Sequence, residues 1–184
     1  MNKIRMIALA ACMAATLDAS AQEQEIRLFS HRGGRMEHDE NTLSAFQASY
    51  DAGYRGFETD IRMTRDGALV ITHDSSLERT TDGTGTVEEK TEAEIRQLAT
   101  KQGNKMMFLD ELLEFLEGKE GLYVEFEMKT KPEALYPEER LHAYCDKLYD
   151  AVMAVKPADA TFVFTSGDYR GLRYLQAKHP GVDL

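Results

Sequence analysis

Apolar segments that end in charged or imidazole side chains constrain the fold of this chain more than any other feature. Apolar residues precede His31 and Arg32, and a second apolar segment ends at His73. Glu58 and Asp60 stand two residues apart within a third such segment. Because burying groups of this kind without a partner is costly, the space between them must hold an anion, a metal ion, or both.

Strand-like and helix-like segments alternate along the chain, which predicts an α/β fold built from parallel βαβ units. Strands are predicted over residues 25–31, 55–63, 68–73, 122–129 and 160–165. Helices are predicted over residues 42–52, 91–98, 109–116, 137–155 and 168–178. A turn at Asp66-Gly67 separates the second and third strands. Thr91 and Glu94 are predicted to form a capping box, and residues 75–90 are predicted to form a surface loop.

Strand geometry predicts that three carboxylates converge. Glu58 and Asp60 lie on one face of the second strand, because side chains alternate between the two faces of a strand. Glu127 lies near the end of the fourth strand and shares a face with Glu125 and Lys129. Three carboxylates from two strands form an oxygen-rich, negatively charged site that suits Ca²⁺ or Mg²⁺. The alternatives are a solvated polar face on an edge strand for the first pair, and a surface ion pair with Lys129 for Glu127.

Two histidines and two cations complete the set of side chains that cleavage of a phosphate diester needs. His31 and His73 could supply the base that deprotonates the attacking hydroxyl and the acid that protonates the departing oxygen. Arg32 offers parallel donors to two phosphate oxygens, and Lys129 offers a point charge. The alternatives are structural histidines with satisfied hydrogen bonds, and structural ion pairs of the two cations with carboxylates.

These residues stand in motifs that resemble those of the glycerophosphodiester phosphodiesterase family. The matching positions lie between about residues 27 and 130, with weaker similarity onward to Pro180. In chain order they are His31-Arg32-Gly33, Glu40-Asn41-Thr42, Gly53, Glu58-Thr59-Asp60, Thr64-Arg65-Asp66-Gly67, His73-Asp74, Leu77, Arg79-Thr80-Thr81, Gly83 and Glu127-Met128-Lys129. Each motif alone is a weak signal, whereas their order and spacing together are specific.

The resemblance implies metal-dependent hydrolysis of glycerophosphodiesters to a glycerol phosphate and an alcohol. It implies that the neighbouring glycerol hydroxyl attacks phosphorus, and that water then opens the resulting cyclic phosphate. The implied roles are catalytic for His31 and His73, phosphate-binding for Arg32 and Lys129, and ligation of one divalent cation, Ca²⁺ or Mg²⁺, for Glu58, Asp60 and Glu127. The sequence departs from the family's pattern at Glu125, where an uncharged residue is more usual, and at Asp39, where proline is usual.

The fold that the resemblance implies is a TIM (β/α)8 barrel of the phosphatidylinositol-phosphodiesterase-like type. Such barrels typically need ~250 residues, whereas this chain has 184 residues and about five predicted strands. We therefore expect the N-terminal portion of a barrel, truncated after about five strands, in a domain over residues 22–184 that is incomplete at its C-terminus. Pairing with a second chain is the alternative.

Residues 1–21 resemble an export signal. Lys3 and Arg5 form a basic start, an alanine-rich apolar stretch follows, and Ala19-Ser20-Ala21 has the form of a cleavage site. The apolar stretch is too short for a membrane span. As an alternative, Cys12 lies in a segment that resembles a bacterial lipoprotein box. Both interpretations predict an exported protein, periplasmic or extracellular.

Composition narrows the possible partners. The formal net charge of −10 at pH 7 argues against nucleic acid or an anionic membrane surface. We expect a small-molecule glycerophosphodiester as substrate instead. If cleavage follows Ala21, Cys145 is the single cysteine that remains, so no intramolecular disulfide can form. Cys145 is predicted to be a small apolar side chain on a helix.

Two other functions fit the same motifs. A related lipid headgroup phosphodiesterase, of the phospholipase C or lysophospholipase D type, would use the same pair of histidines and differ in its pocket. A non-catalytic phosphate-binding fragment would keep the motifs without a closed barrel. The product formed from a water-soluble diester, compared with the product formed from a lyso-lipid, distinguishes these functions.

Overall fold

A five-stranded sheet organises residues 28–184, which are the residues that this computed structural model describes. Its strands are β1 (Phe29–His31), β2 (Gly56–Met63), β3 (Leu69–Ile71), β4 (Tyr123–Met128) and β5 (Thr161–Thr165). The predicted strands are confirmed within this range, and β3 is shorter than predicted. The expected export signal over residues 1–21, with Cys12, lies outside the described residues.

Five α-helices accompany the sheet within residues 28–184. They are α1 (Leu43–Asp51), α2 (Glu92–Ile95), α3 (Leu109–Leu116), α4 (Glu138–Val155) and α5 (Tyr169–Lys178). The capping box of α2 is confirmed: Thr91 Oγ1 accepts from the Glu94 amide at 3.3 Å, and Glu94 Oε2 accepts from the Thr91 amide at 2.7 Å. Cys145 is buried on α4, as predicted. Among residues 28–184, no helix combines the length and the apolar character needed to cross a membrane.

Strand direction divides the sheet into a parallel part and one antiparallel addition. β1, β2, β4 and β5 are parallel and adjacent in that order, as the alternation of strands and helices predicts. β3 instead pairs antiparallel with the far end of β2, with Ile71 opposite Ile61. Parallel strands need a crossover of roughly a dozen residues or more. The turn between β2 and β3 is shorter, and it is closed by a 2.9 Å hydrogen bond from the Thr64 amide to the Ala68 carbonyl.

The two faces of β2 have opposite chemical character, although the whole strand is buried. On one face, the ring of Phe57 lies 5.7 Å from that of Phe46 on α1 and 6.2 Å from that of Phe115 on α3. Burying apolar side chains of this size contributes about 1.5–3 kcal/mol each. The opposite face carries Glu58 and Asp60, because successive side chains point to opposite sides of a strand. Packing of the helices on the apolar face therefore fixes where these carboxylates point.

Candidate active site

The C-terminal ends of three parallel strands bring the predicted site residues to one edge of the sheet. In the strand register, His31 of β1 lies beside Glu58 of β2, and Asp60 of β2 lies beside Glu127 of β4. Lys129 follows β4 directly. Parallel α/β barrels place their active sites at this edge. The position predicted from the sequence for these five residues therefore agrees with the structure.

β1 and β3 approach each other end to end along the same side of β2. Just beyond β1, the amide of Arg32 donates to the carbonyl oxygen of Glu58 at 3.0 Å. Just beyond β3, the amide of Thr72 donates to the carbonyl oxygen of Asp60 at 2.9 Å. Because β1 is parallel to β2 and β3 is antiparallel, their C-terminal ends point toward one another. The two predicted catalytic histidines are consequently carried to the same place from opposite directions.

The three predicted metal ligands form one cluster. Carboxylate oxygens of Glu58, Asp60 and Glu127 all lie within 4.8 Å of one another. Asp60 is fully buried and Glu58 is 9% exposed, so the solvated edge-strand interpretation of this pair is excluded. Glu58 Oε1 is buried without a hydrogen-bond partner. Burial, and next the adjacent Asp60 carboxylate, raise the pKa of Glu58 to about 8.

Cations and an amide surround the carboxylate of Asp60. The Arg32 Nε lies 3.2 Å from Asp60 Oδ2, and the Lys129 Nζ lies 3.1 Å from Asp60 Oδ1. The side-chain amide of Asn41 donates to Oδ2 at 2.9 Å. Lys129 also lies 2.6 Å from Glu127 Oε1. If Arg32 and Lys129 have structural roles, they are expected to form ion pairs with carboxylates. Such ion pairs are present for both residues, and they lie inside the carboxylate cluster.

The loop that supplies Arg32 has an unusual backbone. Arg32 and Asn41 have φ angles of +54° and +58°, and they are the non-glycine residues of the described chain with positive φ. Such backbone costs about 1–3 kcal/mol per residue and is concentrated at functional sites. Gly33, between them, also has positive φ, and a Cβ there would lie 3.0 Å from the Ala45 side chain of α1. The close packing of α1 thus holds both side chains against Asp60.

The two histidines differ in their surroundings. His31 is half exposed, and its Nε2 lies 3.5 Å from Glu58 Oε2. Burial, followed by the charges of Arg32 and Arg35, lowers the pKa of His31. The Nδ1 of His73 instead lies 2.7 Å from Asp74 Oδ1, in a hydrogen bond that orients the ring.

Comparison with known proteins identifies the family of this chain. The sequence model of the glycerophosphoryl diester phosphodiesterase family matches residues 31–184. The chain belongs to this family. A glycerophosphodiester phosphodiesterase of Caldanaerobacter subterraneus is 36% identical over 123 residues, which are 62% of this chain and 50% of the relative. The chain thus spans about half the length of this curated relative.

Solved structures of the family share the fold. A phosphodiesterase of Oleispira antarctica, in complex with the product sn-glycerol-3-phosphate, is 27% identical with a TM-score of 0.75, over 85% of this chain and 63% of that one. The glycerophosphodiester phosphodiesterase of Agrobacterium tumefaciens is 27% identical with a TM-score of 0.69, over 86% of this chain and 65% of that one. These relatives are TIM barrels. The parallel strands β1, β2, β4 and β5 are part of that barrel architecture.

The sequence predicted no role for Glu40 and Arg79, which stand in the family motifs, or for Glu125, where the sequence departs from the family pattern. Glu40 accepts from Arg32 Nη1 at 3.2 Å, and it accepts two hydrogen bonds from Arg79. Glu125 lies beside Glu58 in the strand register, and its Oε1 accepts from the Tyr123 hydroxyl at 3.3 Å. Glu125 is not among the three clustered ligands. The occurrence of Glu40 and Arg79 in the family motifs was the sequence signal that could have pointed to these two residues.

The buried Arg62 binds the main chain at two of the proposed site residues. The Nε of Arg62 donates to the carbonyl oxygen of His73 at 2.9 Å, and its Nη1 donates to the carbonyl oxygen of Lys129 at 3.2 Å. Its charge is balanced by Glu88, with Nη1 and Oε1 at 2.8 Å. Glu88 lies in the segment predicted as a surface loop, yet its side chain is 2% exposed. No local sequence pattern signals this pair, because its members are 26 residues apart.

Proposed function

We propose that the protein hydrolyses glycerophosphodiesters to a glycerol phosphate and an alcohol at this edge of the sheet. One observation carries the proposal: imidazole, guanidinium and ammonium groups converge on a buried carboxylate cluster. The substrate class is suggested by the names of the relatives and by the product bound to the Oleispira antarctica enzyme. Phosphate diesters need this combination of proton-transferring and positively charged groups.

The acidic cluster is proposed to bind one divalent cation, Ca²⁺ or Mg²⁺, through Glu58, Asp60 and Glu127. Its donors are carboxylate oxygens, which hard cations prefer. The buried, unpartnered Glu58 Oε1 supports this fit, since a cation would supply its missing partner. When bound, the cation would neutralise the carboxylates and polarise a phosphoryl oxygen of the substrate.

Arg32 and Lys129 are proposed to hold the substrate phosphate. Asp60 and Glu40 contact the Nε and Nη1 atoms of Arg32, which fixes the plane of the guanidinium and leaves Nη2 for a phosphate oxygen. Lys129 is 15% exposed at the mouth of the cluster and supplies a second positive charge. In a protein with a net charge of −10, these two cations offset the repulsion that an anionic substrate meets.

His31 and His73 are proposed to move the protons. One imidazole takes the proton of the neighbouring glycerol hydroxyl as its oxygen bonds to phosphorus, and the other protonates the alcohol oxygen as its bond to phosphorus breaks. Water then opens the cyclic phosphate with the two roles reversed. The hydrogen bond between Asp74 and Nδ1 of His73 leaves Nε2 to exchange a proton with the substrate.

Product analysis tests the proposal. Glycerophosphocholine incubated with the protein and Ca²⁺ or Mg²⁺ should give glycerol phosphate and choline. The reaction is monitored by ³¹P NMR, and excess chelator should stop turnover. His31→Ala should lose turnover while retaining ion binding. Release of choline phosphate, or full activity in chelator, would contradict the proposal. Faster cleavage of a lyso-lipid would favour the lysophospholipase D alternative, and binding of glycerol phosphate without turnover would favour the non-catalytic one.

We also propose that residues 1–21 direct export of the protein. A basic start, an apolar stretch and a small-residue cleavage site support this. Mass spectrometry of protein recovered from the periplasm should find Gln22 as the first residue. A lipid-modified Cys12 at the N-terminus would support the lipoprotein alternative instead, and retention in the cytoplasm would contradict export.

A further inference from the structure

Arg79 connects two acids whose proposed part in the mechanism is to orient Arg32 and His73. Its Nη2 and Nη1 donate to the two carboxylate oxygens of Glu40 at 2.7 and 2.9 Å. Its Nε donates to Asp74 Oδ2. One planar guanidinium therefore spans both carboxylates, with a paired contact to one of them.

Each of these acids also contacts a residue of the proposed mechanism. Asp74 accepts through Oδ1 from Nδ1 of His73 at 2.7 Å, and Glu40 accepts through Oε1 from Arg32 Nη1 at 3.2 Å. Nitrogen donors and carboxylate acceptors thus alternate from the imidazole of His73 to the guanidinium of Arg32. The hydrogen bond from Arg79 is the largest factor that lowers the pKa of Glu40, so this carboxylate remains charged at neutral pH.

The sheet alone does not link the two loops that hold these groups. β1 and β3 each pair with β2 and not with each other. Glu40 belongs to the loop after β1, and Arg79 follows β3 by several residues. The paired contact between Glu40 and Arg79 joins chain segments 39 residues apart across the gap between the two strand ends.

We propose that Arg79 is a positioning residue that fixes the imidazole of His73 relative to the guanidinium of Arg32. The inference rests on the proposed function, in which one of these groups transfers a proton and the other holds the phosphate. Small errors in the distance between these two groups slow the reaction strongly, since a 1 Å misplacement can lower a rate by about 10²-fold. If the ion pairs of Arg79 were only structural, their loss would leave turnover unchanged. Their loss would also change stability little, because Arg79 is 48% exposed and exposed pairs add little stability.

Kinetics of Arg79 variants test the positioning role. Arg79→Ala should lower kcat for glycerophosphocholine by roughly 10- to 100-fold and raise KM, with only a small change in Tm. Added guanidinium ions should restore part of the lost kcat. Arg79→Lys should be only partly active, because an ammonium cannot make the paired contact. The matched control is Arg96→Ala, which removes exposed ion pairs to Glu92 and Glu111 and should leave kcat and KM unchanged.

A spectroscopic measurement tests the same role without turnover. In ¹⁵N NMR spectra of labelled histidine, His73 should carry its proton on Nδ1, hydrogen-bonded to Asp74, and Arg79→Ala should mix the two tautomers. Wild-type kcat, KM and tautomer in Arg79→Ala would overturn the proposal. If the wild-type protein cleaved no phosphodiester but the variant changed the His73 tautomer, the positioning role would stand and the proposed function would fail.

Discussion

The ammonium nitrogen of Lys129 lies 2.6 Å from a carboxylate oxygen of Glu127, the residue two positions earlier in the chain. The same nitrogen lies 3.1 Å from Asp60 Oδ1. The ammonium therefore interacts with two of the three proposed metal ligands, in the region where a divalent cation would bind. Positive charges in one cluster repel each other, so Lys129 should weaken the binding of a divalent cation and strengthen the binding of an anion.

Replacement of Lys129 should accordingly change two affinities in opposite directions. Lys129→Met should raise the affinity for Ca²⁺ by up to roughly tenfold, because a repulsion of one or more kcal/mol is typical for charges a few ångströms apart near a protein surface. It should lower the affinity for glycerol phosphate. Isothermal titration calorimetry measures both, with Lys131→Met, an exposed lysine, as the control. Weaker Ca²⁺ binding in Lys129→Met would contradict this account.

Glu58→Gln should stabilise the ion-free protein while removing its ion binding. Glu58 is buried with one oxygen unpartnered, and burying a charge without full compensation is unfavourable. Because burial raises the pKa of Glu58 to about 8, its carboxyl must take up a proton on folding at neutral pH, and an amide avoids that cost. Tm in chelator should therefore rise, whereas Ca²⁺ affinity should fall by about 100-fold or more because a ligand is lost. Glu125→Gln is the matched control on the neighbouring strand. Equal effects of the two substitutions on Ca²⁺ affinity would show that the cluster has been assigned incorrectly.

Replacement of either histidine should remove most of the turnover and little of the stability. His31→Ala and His73→Ala should each lower kcat by roughly 10²–10⁴-fold, the usual contribution of a positioned acid or base. Arg32→Lys should also be damaging, since one ammonium cannot contact Asp60 and Glu40 and also direct a further donor to the phosphate. His142→Ala, whose ring stacks on Tyr174 away from the cluster, is the control. Near-normal kcat in either site variant would remove that histidine from the mechanism.

Local sequence rules predicted the elements and the face that bears the acids. Alternation along β2 places Glu58 and Asp60 opposite Phe57, and the parallel register then aligns Asp60 with Glu127. These features depend on residue spacing within one strand and on neighbouring parallel strands. The alternation could therefore be derived from the sequence, whereas the alignment of Asp60 with Glu127 is known from the structure.

The contacts that tune the site could not be derived in this way. Asp60 is paired with Lys129, and Glu88 is buried against Arg62, through contacts between segments that are distant in the chain. A glutamate in a polar, Thr- and Gly-rich segment is normally exposed, so residues 75–90 were predicted as a surface loop. Tertiary packing overrides that preference at Glu88, because Arg62 needs a buried partner for its charge.

The ion pair between Arg62 and Glu88 should be important for stability. Glu88→Gln leaves the buried guanidinium without its counter-ion, and breaking such a pair costs about 3–5 kcal/mol. Urea unfolding should measure this loss, and Glu89→Gln, at an exposed neighbour, should change little. Replacing both partners with methionine should cost less than Glu88→Gln alone, because no unpaired charge remains. A larger loss in the double variant would show that the hydrogen bonds of Arg62 to main-chain carbonyls outweigh the charge balance.

Stability should depend on pH through Asp74. Burial alone would raise the pKa of this carboxyl, but hydrogen bonds from Arg79 and His73 outweigh burial and lower the pKa to about 2. The pKa in the unfolded chain is about 3.9. Because the folded value is the lower one, the stabilisation is complete above about pH 4 and is lost as the pH falls toward 2.

Asp74→Asn should therefore lower the free energy of unfolding by no more than about 1 kcal/mol at pH 6, because solvent screens the ion pair with the half-exposed Arg79. The difference from wild type should shrink between pH 4 and pH 2. Urea unfolding at each pH measures the difference. Asp150→Asn removes an exposed carboxylate of α4 and serves as the control. A difference for Asp74→Asn that stays constant from pH 6 to pH 2 would mean that the substitution acts through packing. The contacts of Asp74 with Arg79 and His73 would then contribute geometry to the site and no charge-dependent stability.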